Sequence, residues 1–210
     1  MLAALRALLP PDVAIAGFDV HAQLPPLKPA EIDFVAHAVE KRQREFHAGR
    51  AAARQAMAAL GYPDHAVPIG PNRAPHWPEG VTGSITHSSG FALAAVAPSS
   101  ACRALGIDLE DDAPLPPEML RLVMTSRERA AAAGSADLGA LGKRSFVAKE
   151  CAYKAQFPLT ADVFSFNALE LAFDGACFVA TRVDGAWADL PLVGRDDAVA
   201  GLRVAAMVVP

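Results

Sequence analysis

The alternation of apolar and polar residues predicts a mixed order of strands and helices. Residues 1–9 form an apolar stretch that reads as a short helix, stopped by Pro10 and Pro11. Val13 to Val20 follows as a strand, with Ile15, Phe18 and Val20 apolar. Pro25 and Pro26 belong to a connector. Pro29 and Ala30 then open a helical tract with Glu31 and Asp33 in its first turn, where acids suit the helix dipole. That tract runs to Leu60 and closes on Gly61, with Gly49 a candidate break into two helices. Residues 62–80 are proline-rich and read as an ordered surface loop anchored by Trp77.

Thr82 to Thr86 and Phe91 to Ala97 read as strands joined by the turn-like His87-Ser88-Ser89-Gly90. Ala104 to Leu109 is a further short strand. Pro114, Pro116 and Pro117 interrupt the chain, after which helices are expected from Glu118 and near Ser126 to Ala133. Phe146 to Ala155 contains no glycine or proline and reads as a helix. Phe166 to Phe173, Cys177 to Val183 and Leu202 to Val209 alternate like a closing antiparallel sheet, with Asp174-Gly175 as a hairpin turn. The element order suggests two similar halves meeting near residue 104, although no sequence repeat marks them.

At 210 residues and 52% apolar, the chain can bury a substantial core and is not disordered. A net charge of -4 argues against a general nucleic-acid binder. The 3 cysteines, Cys102, Cys151 and Cys177, are widely spaced without a C-x-x-C pair, which suits a reducing compartment and offers no zinc site. The apolar N-terminus is too short for a signal peptide, and no run is long enough to span a bilayer, so a soluble cytoplasmic protein is expected.

Candidate chemistry begins with Asp108 and Glu110, two apart on a strand and so on one face. They are either solvated acids at a strand end or a pair whose repulsion a hard cation relieves. Glu150 could complete a magnesium site, and Lys154, one helical turn on, could stabilise a phosphate. Read alone, Glu150 and Lys154 are equally an ordinary solvated ion pair. Lys149 either reaches the same ligand or lies on the surface. Upstream, Arg42, Phe46, Arg50 and Arg54 recur at spacing four. Like charges at that spacing repel, so the arginines either bind an anion or are paired with acids such as Glu45. His87 follows a strand and is as readily structural as functional. No G-x-S-x-G elbow, G-x-x-x-x-G-K-[ST] loop or G-x-G-x-x-G fingerprint occurs.

Taken together, Gly83-Ser84-Ile85-Thr86-His87-Ser88, Leu105-Gly106-Ile107-Asp108-Leu109-Glu110 and Phe146-Val147-Ala148-Lys149-Glu150-Cys151-Ala152-Tyr153-Lys154-Ala155 resemble the Sfp-type 4'-phosphopantetheinyl transferases, most of all their enterobactin-synthetase component D branch. Residues 42–54 and Arg73-Ala74-Pro75-His76-Trp77-Pro78 resemble the same branch, so the likeness covers about residues 38 to 160. Two departures stand out: Asn72 where related sequences often carry lysine, and Cys151 where serine or alanine is common.

The resemblance implies an α+β fold built as a pseudo-twofold pair of similar halves, each a small antiparallel sheet packed with helices, here residues 1–104 and 105–210. It implies transfer of the 4'-phosphopantetheine arm of coenzyme A to a serine of an apo acyl or peptidyl carrier protein, with adenosine 3',5'-bisphosphate released. Asp108, Glu110 and Glu150 match the magnesium-binding acids. Glu150 also matches the proposed base, and Lys154 the lysine at the diphosphate. Arg42, Arg50 and His87 match coenzyme A phosphate positions, Thr86 lies beside them, and Arg73 and Lys149 are taken with the coenzyme A-binding set. A monomer is expected, with no nucleic-acid or membrane partner. The carrier could serve siderophore, polyketide, peptide or fatty-acid synthesis. The alternatives are a coenzyme A-binding protein without transfer activity and a magnesium-dependent nuclease. Retention of the acids and Lys154 argues against the first, and the acidic net charge against the second.

Overall fold

A computed structural model describes residues 1–210. The chain forms helices α1 (Leu2–Leu8), α2 (Pro29–Ile32), α3 (Glu40–Ala59), α4 (Pro117–Val123), α5 (Ser126–Ala131) and α6 (Leu138–Thr160). Its strands are β1 (Ala14–Asp19), β2 (Val81–Ser88), β3 (Phe91–Pro98), β4 (Ala104–Asp111), β5 (Leu169–Asp174), β6 (Cys177–Arg182), β7 (Leu192–Val199) and β8 (Leu202–Val209). They make two antiparallel sheets, a three-stranded one ordered β1-β3-β2 and a five-stranded one ordered β4-β8-β7-β6-β5. The fold class is therefore the α+β class expected from the sequence. The two sheets nevertheless differ in strand number.

Each sheet carries one long helix. Ala52, Ala53, Ala56 and Met57 of α3 pack on Val81, Ala94 and Val96 of the first sheet. Val147, Ala148, Cys151, Ala152 and Ala155 of α6 pack on Leu169, Phe178, Leu192, Ala205 and Met207 of the second. Small alanines let both helices approach closely. A third cluster spans both sheets, joining Leu5 of α1 and the following Leu9 with Leu93, Ala95, Leu105, Ile107, Leu109, Val204 and Ala206. One face of each sheet thus shares a core with the other. The cysteines are free thiols, and no helix is long and apolar enough to cross a membrane.

Several elements differ from the sequence expectation for local reasons. The helical tract breaks at residues 33–39, not at Gly49. Glu31 is fully buried and accepts from Arg54 Nη1 at 2.6 Å and the Val67 amide at 2.9 Å, which clamps α2 to α3 and the following loop. Gly49 instead lets α3 lie close to β2, since a Cβ there would sit 2.9 Å from Ile85 Cγ2. His87 and Ser88 continue β2. The turn proper is Ser89-Gly90, whose φ values of 51° and 81° match a two-residue hairpin that twists with its strands. Strand β7 was not expected, because its buried face presents Leu192, Gly194 and Asp196 in place of an apolar series.

Candidate active site

Strand β4 delivers alternate residues to opposite faces. Leu105, Ile107 and Leu109 enter the shared core, while Gly106, Asp108 and Glu110 face α6. Gly106 permits the approach of α6: a Cβ there would lie 2.1 Å from the Cys151 carbonyl oxygen. That contact brings Lys154 over β4, where its Nζ donates to Asp108 Oδ1 at 2.6 Å and to the Ile107 carbonyl at 3.2 Å. Burial pulls the Lys154 pKa down, but the Asp108 and Glu150 carboxylates more than offset it, and the net direction is upward. Lys154 is a firmly held cation.

Asp108 Oδ1 also accepts from Thr86 Oγ1 at 3.0 Å, whereas Asp108 Oδ2 is buried without a hydrogen-bond partner. Glu110 accepts from Ser88 Oγ at 3.1 Å. Burial, followed by the Asp108 charge, raises the Glu110 pKa against the opposing effects of Ser88 and Lys143. Glu150 has no hydrogen-bond partner in the protein. Burial raises its pKa first, Asp108 and Glu110 add to the rise, and Lys154 counters it. No three His, Cys, Asp or Glu side chains converge into a ready-made metal cage. The bare Asp108 Oδ2 and the two acids with raised pKa do suit a hard cation that draws its other oxygens from a ligand or water.

The arginine stripe on α3 divides. Arg54 is buried in its ion pair with Glu31 and has a structural role. Arg50 stacks over Phe46, 4.1 Å from the ring centroid, and its Nε donates to the Val67 carbonyl at 2.6 Å. Its terminal nitrogens have no protein partner and open on a cleft. Burial lowers the Arg50 pKa to about 10 against the opposing Glu31 charge, with smaller downward contributions from Arg42 and Arg54, so it remains charged near neutrality. Arg42 donates to His87 Nε2 at 2.6 Å, and His87 Nδ1 lies 3.5 Å from Glu45 Oε2. Burial chiefly, helped by Arg42 and Lys154 and opposed by Glu45 and Asp108, lowers the His87 pKa, consistent with a neutral ring accepting from Arg42. Arg42 and His87 sit beside the cleft, not in its wall.

The cleft has a volume of about 470 Å³, and Arg50, Arg73, Arg103, Glu150 and Lys154 are among its lining residues. Asn72 and Arg73 hold left-handed φ values of 51° and 64° at its rim. Two sequence expectations need correction. Lys149 does not reach the cleft: it is 0% exposed and donates to Val123 O at 2.8 Å, Glu128 Oε2 at 2.7 Å and Phe166 O at 3.2 Å, which uses all its donors. Thr86 does not reach it either, because its buried hydroxyl is engaged by Asp108 and the Leu109 amide. Conversely, sequence reasoning missed Arg103, Tyr153 and Phe157 as lining residues. Arg103 has no distinguishing sequence context. Tyr153 and Phe157 share a face of α6 with Glu150 at the i, i+3 and i, i+7 spacings, and that signal was available.

Comparison with known proteins places the chain in a family. The 4'-phosphopantetheinyl transferase N-terminal domain family matches residues 30–97, and the 4'-phosphopantetheinyl transferase superfamily matches residues 104–200. The 4'-phosphopantetheinyl transferase Npt of Nocardia iowensis is 38% identical over 170 residues, which cover 81% of this chain and 77% of that protein. The transferase Svp of Streptomyces mobaraensis is 43% identical over 152 residues, 70% of this chain and 61% of Svp. Enterobactin synthase component D of Escherichia coli O157:H7 is 40% identical over 124 residues, 57% of each chain. The chain belongs to the 4'-phosphopantetheinyl transferase family and is an enzyme of that kind.

Proposed function

We propose that the chain moves the 4'-phosphopantetheine arm of coenzyme A onto a serine hydroxyl of an apo acyl or peptidyl carrier protein, in a magnesium-dependent reaction, acting as a monomer in the cytoplasm. The observation that carries this reading is Lys154, paired with Asp108 whose Oδ2 is left bare, in the wall of a cleft that also holds Arg50, Arg73 and Arg103. Such a cleft suits a ligand with several anionic groups, while Trp77, Tyr153 and Phe157 offer apolar surface to its flat and aliphatic parts. The first half, residues 1–104, contributes Arg50 and Arg73; the second, residues 105–210, contributes the acids and Lys154.

In this mechanism the serine oxygen attacks the phosphorus that bears pantetheine. The new oxygen–phosphorus bond forms as the bond from that phosphorus to the bridging oxygen breaks. The electron pair leaves with adenosine 3',5'-bisphosphate. Glu150, partnerless and with a raised pKa, takes the serine proton. Lys154 stands where negative charge gathers on the diphosphate, and the arginines orient the nucleotide end. Asp108, Glu110 and Glu150 would hold magnesium, which when bound would supply positive charge to offset that of the diphosphate.

The test is incubation with coenzyme A, magnesium and an apo carrier, followed by intact-mass measurement of the carrier. A mass gain equal to one phosphopantetheine is expected. Coenzyme A binding without any gain would indicate a binding protein, and cleavage of nucleic acid in its place would indicate a nuclease.

A further inference from the structure

The two sheets meet along β2 and β4, each an edge strand of its own sheet. No backbone ladder joins them. Alternate hydroxyls of β2 bridge the gap: Ser84 Oγ accepts the Ile107 amide at 3.1 Å, Thr86 Oγ1 accepts the Leu109 amide at 3.2 Å, and Ser88 Oγ donates to Glu110 Oε2 at 3.1 Å. Residue numbers rise together along both strands, so this seam is parallel. Thr86 does double duty, since it also donates its proton to Asp108 Oδ1 at 3.0 Å.

The consequence is the same at both acids. One oxygen of Asp108 is tied by Thr86 and Lys154, and the other is bare. One oxygen of Glu110 is tied by Ser88, and Oε1 has no partner. A carboxylate held by one oxygen cannot rotate freely, so its second oxygen is aimed. We infer that Thr86 and Ser88 are positioning residues, which cross from one sheet to the other to aim Asp108 Oδ2 and Glu110 Oε1 at a divalent cation. This inference rests on the magnesium-dependent reading above. It gives the sheet junction a chemical role: any shift of β2 along β4 would misalign both acids together.

The test uses Mn²⁺ as the probe, titrated into the full chain with coenzyme A and followed by electron paramagnetic resonance, alongside the magnesium dependence of transfer. Thr86→Val keeps the shape and removes the hydroxyl. It should weaken Mn²⁺ binding roughly tenfold or more and raise the half-saturating magnesium by a like factor, as loss of a partner behind a metal ligand commonly does. Thr86→Ser should restore both. Ser88→Ala, at the partly exposed end of the seam, should shift them in the same direction. Ser84→Ala breaks a bond to a backbone amide and none to a carboxylate, so, titrated without coenzyme A because Ser84 also lines the cleft, it should lower the melting temperature without moving Mn²⁺ affinity. The inference is overturned if folded Thr86→Val binds Mn²⁺ as tightly as wild type, or if Ser84→Ala weakens it equally. Should Thr86→Val not fold, unchanged Mn²⁺ affinity in Ser88→Ala overturns it. Wild type that neither binds Mn²⁺ nor needs magnesium overturns the cation reading itself, a failure visible before any variant is made.

Discussion

Lys149 and Lys154 lie on one helix, five residues apart, yet the structure gives them opposite work, and Lys149→Met tests that division. Lys149 donates to Glu128 Oε2 and to the Val123 and Phe166 carbonyls from a fully buried position. Burial lowers its pKa, with Glu128 opposing, so the ion pair is held at a desolvation cost. Methionine fills similar space but strands the buried Glu128 charge and two carbonyls. Glu128 would keep the Thr125 amide at 2.6 Å and the Leu171 amide at 2.8 Å, which tempers the loss. Removing one partner of a buried pair costs about 3–5 kcal/mol, a large share of the roughly 5–15 kcal/mol available to a folded chain. At about 2–4 °C per kcal/mol for a protein of this size, the melting temperature should fall by about 6–20 °C. Pairing it with Glu128→Gln should recover part of that fall, since no lone charge remains and a side-chain oxygen is kept for the amides. Melting followed by circular dichroism reads the stability, and calorimetry well below the transition reads coenzyme A binding by the folded fraction. The reasoning is refuted if Lys149→Met melts like wild type and binds coenzyme A tenfold more weakly, which is how a ligand-contacting lysine behaves.

Two further substitutions test the cleft. Arg50→Ala should weaken coenzyme A binding tenfold or more, since a charge-assisted contact is worth about 1.5–3 kcal/mol, and an unchanged calorimetric Kd would reduce Arg50 to a packing residue on Phe46. Glu150→Gln should raise the melting temperature in metal-free buffer at neutral pH. The folded-state pKa of Glu150 lies above its ordinary 4.5, so the native state binds more protons in the window between them and stability falls as pH rises through it. The variant should flatten that part of the stability–pH curve, and an unaltered curve would show that the Glu150 charge is not strained.

The strands and helices that carry the site could be read from the sequence because ordinary periodicity builds them. β2, β3 and β4 alternate or run apolar, and α6 is free of breakers from Phe146 to Gln156. β7 was invisible because its inward face is organised by charge. Asp196 is 3% exposed and is gripped by Arg144 at 2.6 Å and Arg203 at 2.8 Å, and Gly194 leaves room for Phe178, whose Cζ would lie 2.3 Å from any Cβ there. No hydropathy pattern marks a strand whose inward face is held by ion pairs such as that between Asp196 and Arg144, 52 residues apart. The same limit explains Lys149. Its helix position predicts that it points away from Lys154, but only the placement of α5 and the loop before β5 decides that it points into Glu128 and not into solvent.

The arginine stripe carries this argument furthest. Spacing four puts Arg42, Arg50 and Arg54 on one face of α3, and repulsion among them requires compensating anions. The protein supplies them unevenly. Arg54 pairs with Glu31 at 2.6 Å and lies 3.7 Å from Asp64, and Arg42 lies 3.8 Å from Glu45 while donating to His87. Arg50, in the middle, receives only a carbonyl oxygen at its Nε. Burial is the main cause of its lowered pKa, the nearby Glu31 charge opposes it, and Arg42 and Arg54 add smaller downward contributions. In the proposed reading an anionic ligand completes this balance at the wall that Arg50 shares with Arg73 and Arg103. A net charge of -4 hides this, because the surplus acids are paired or lie elsewhere. What selects the ligand is the local charge balance of the cleft, in which Glu150 is the single acid among its lining residues and Lys154 is already held by Asp108.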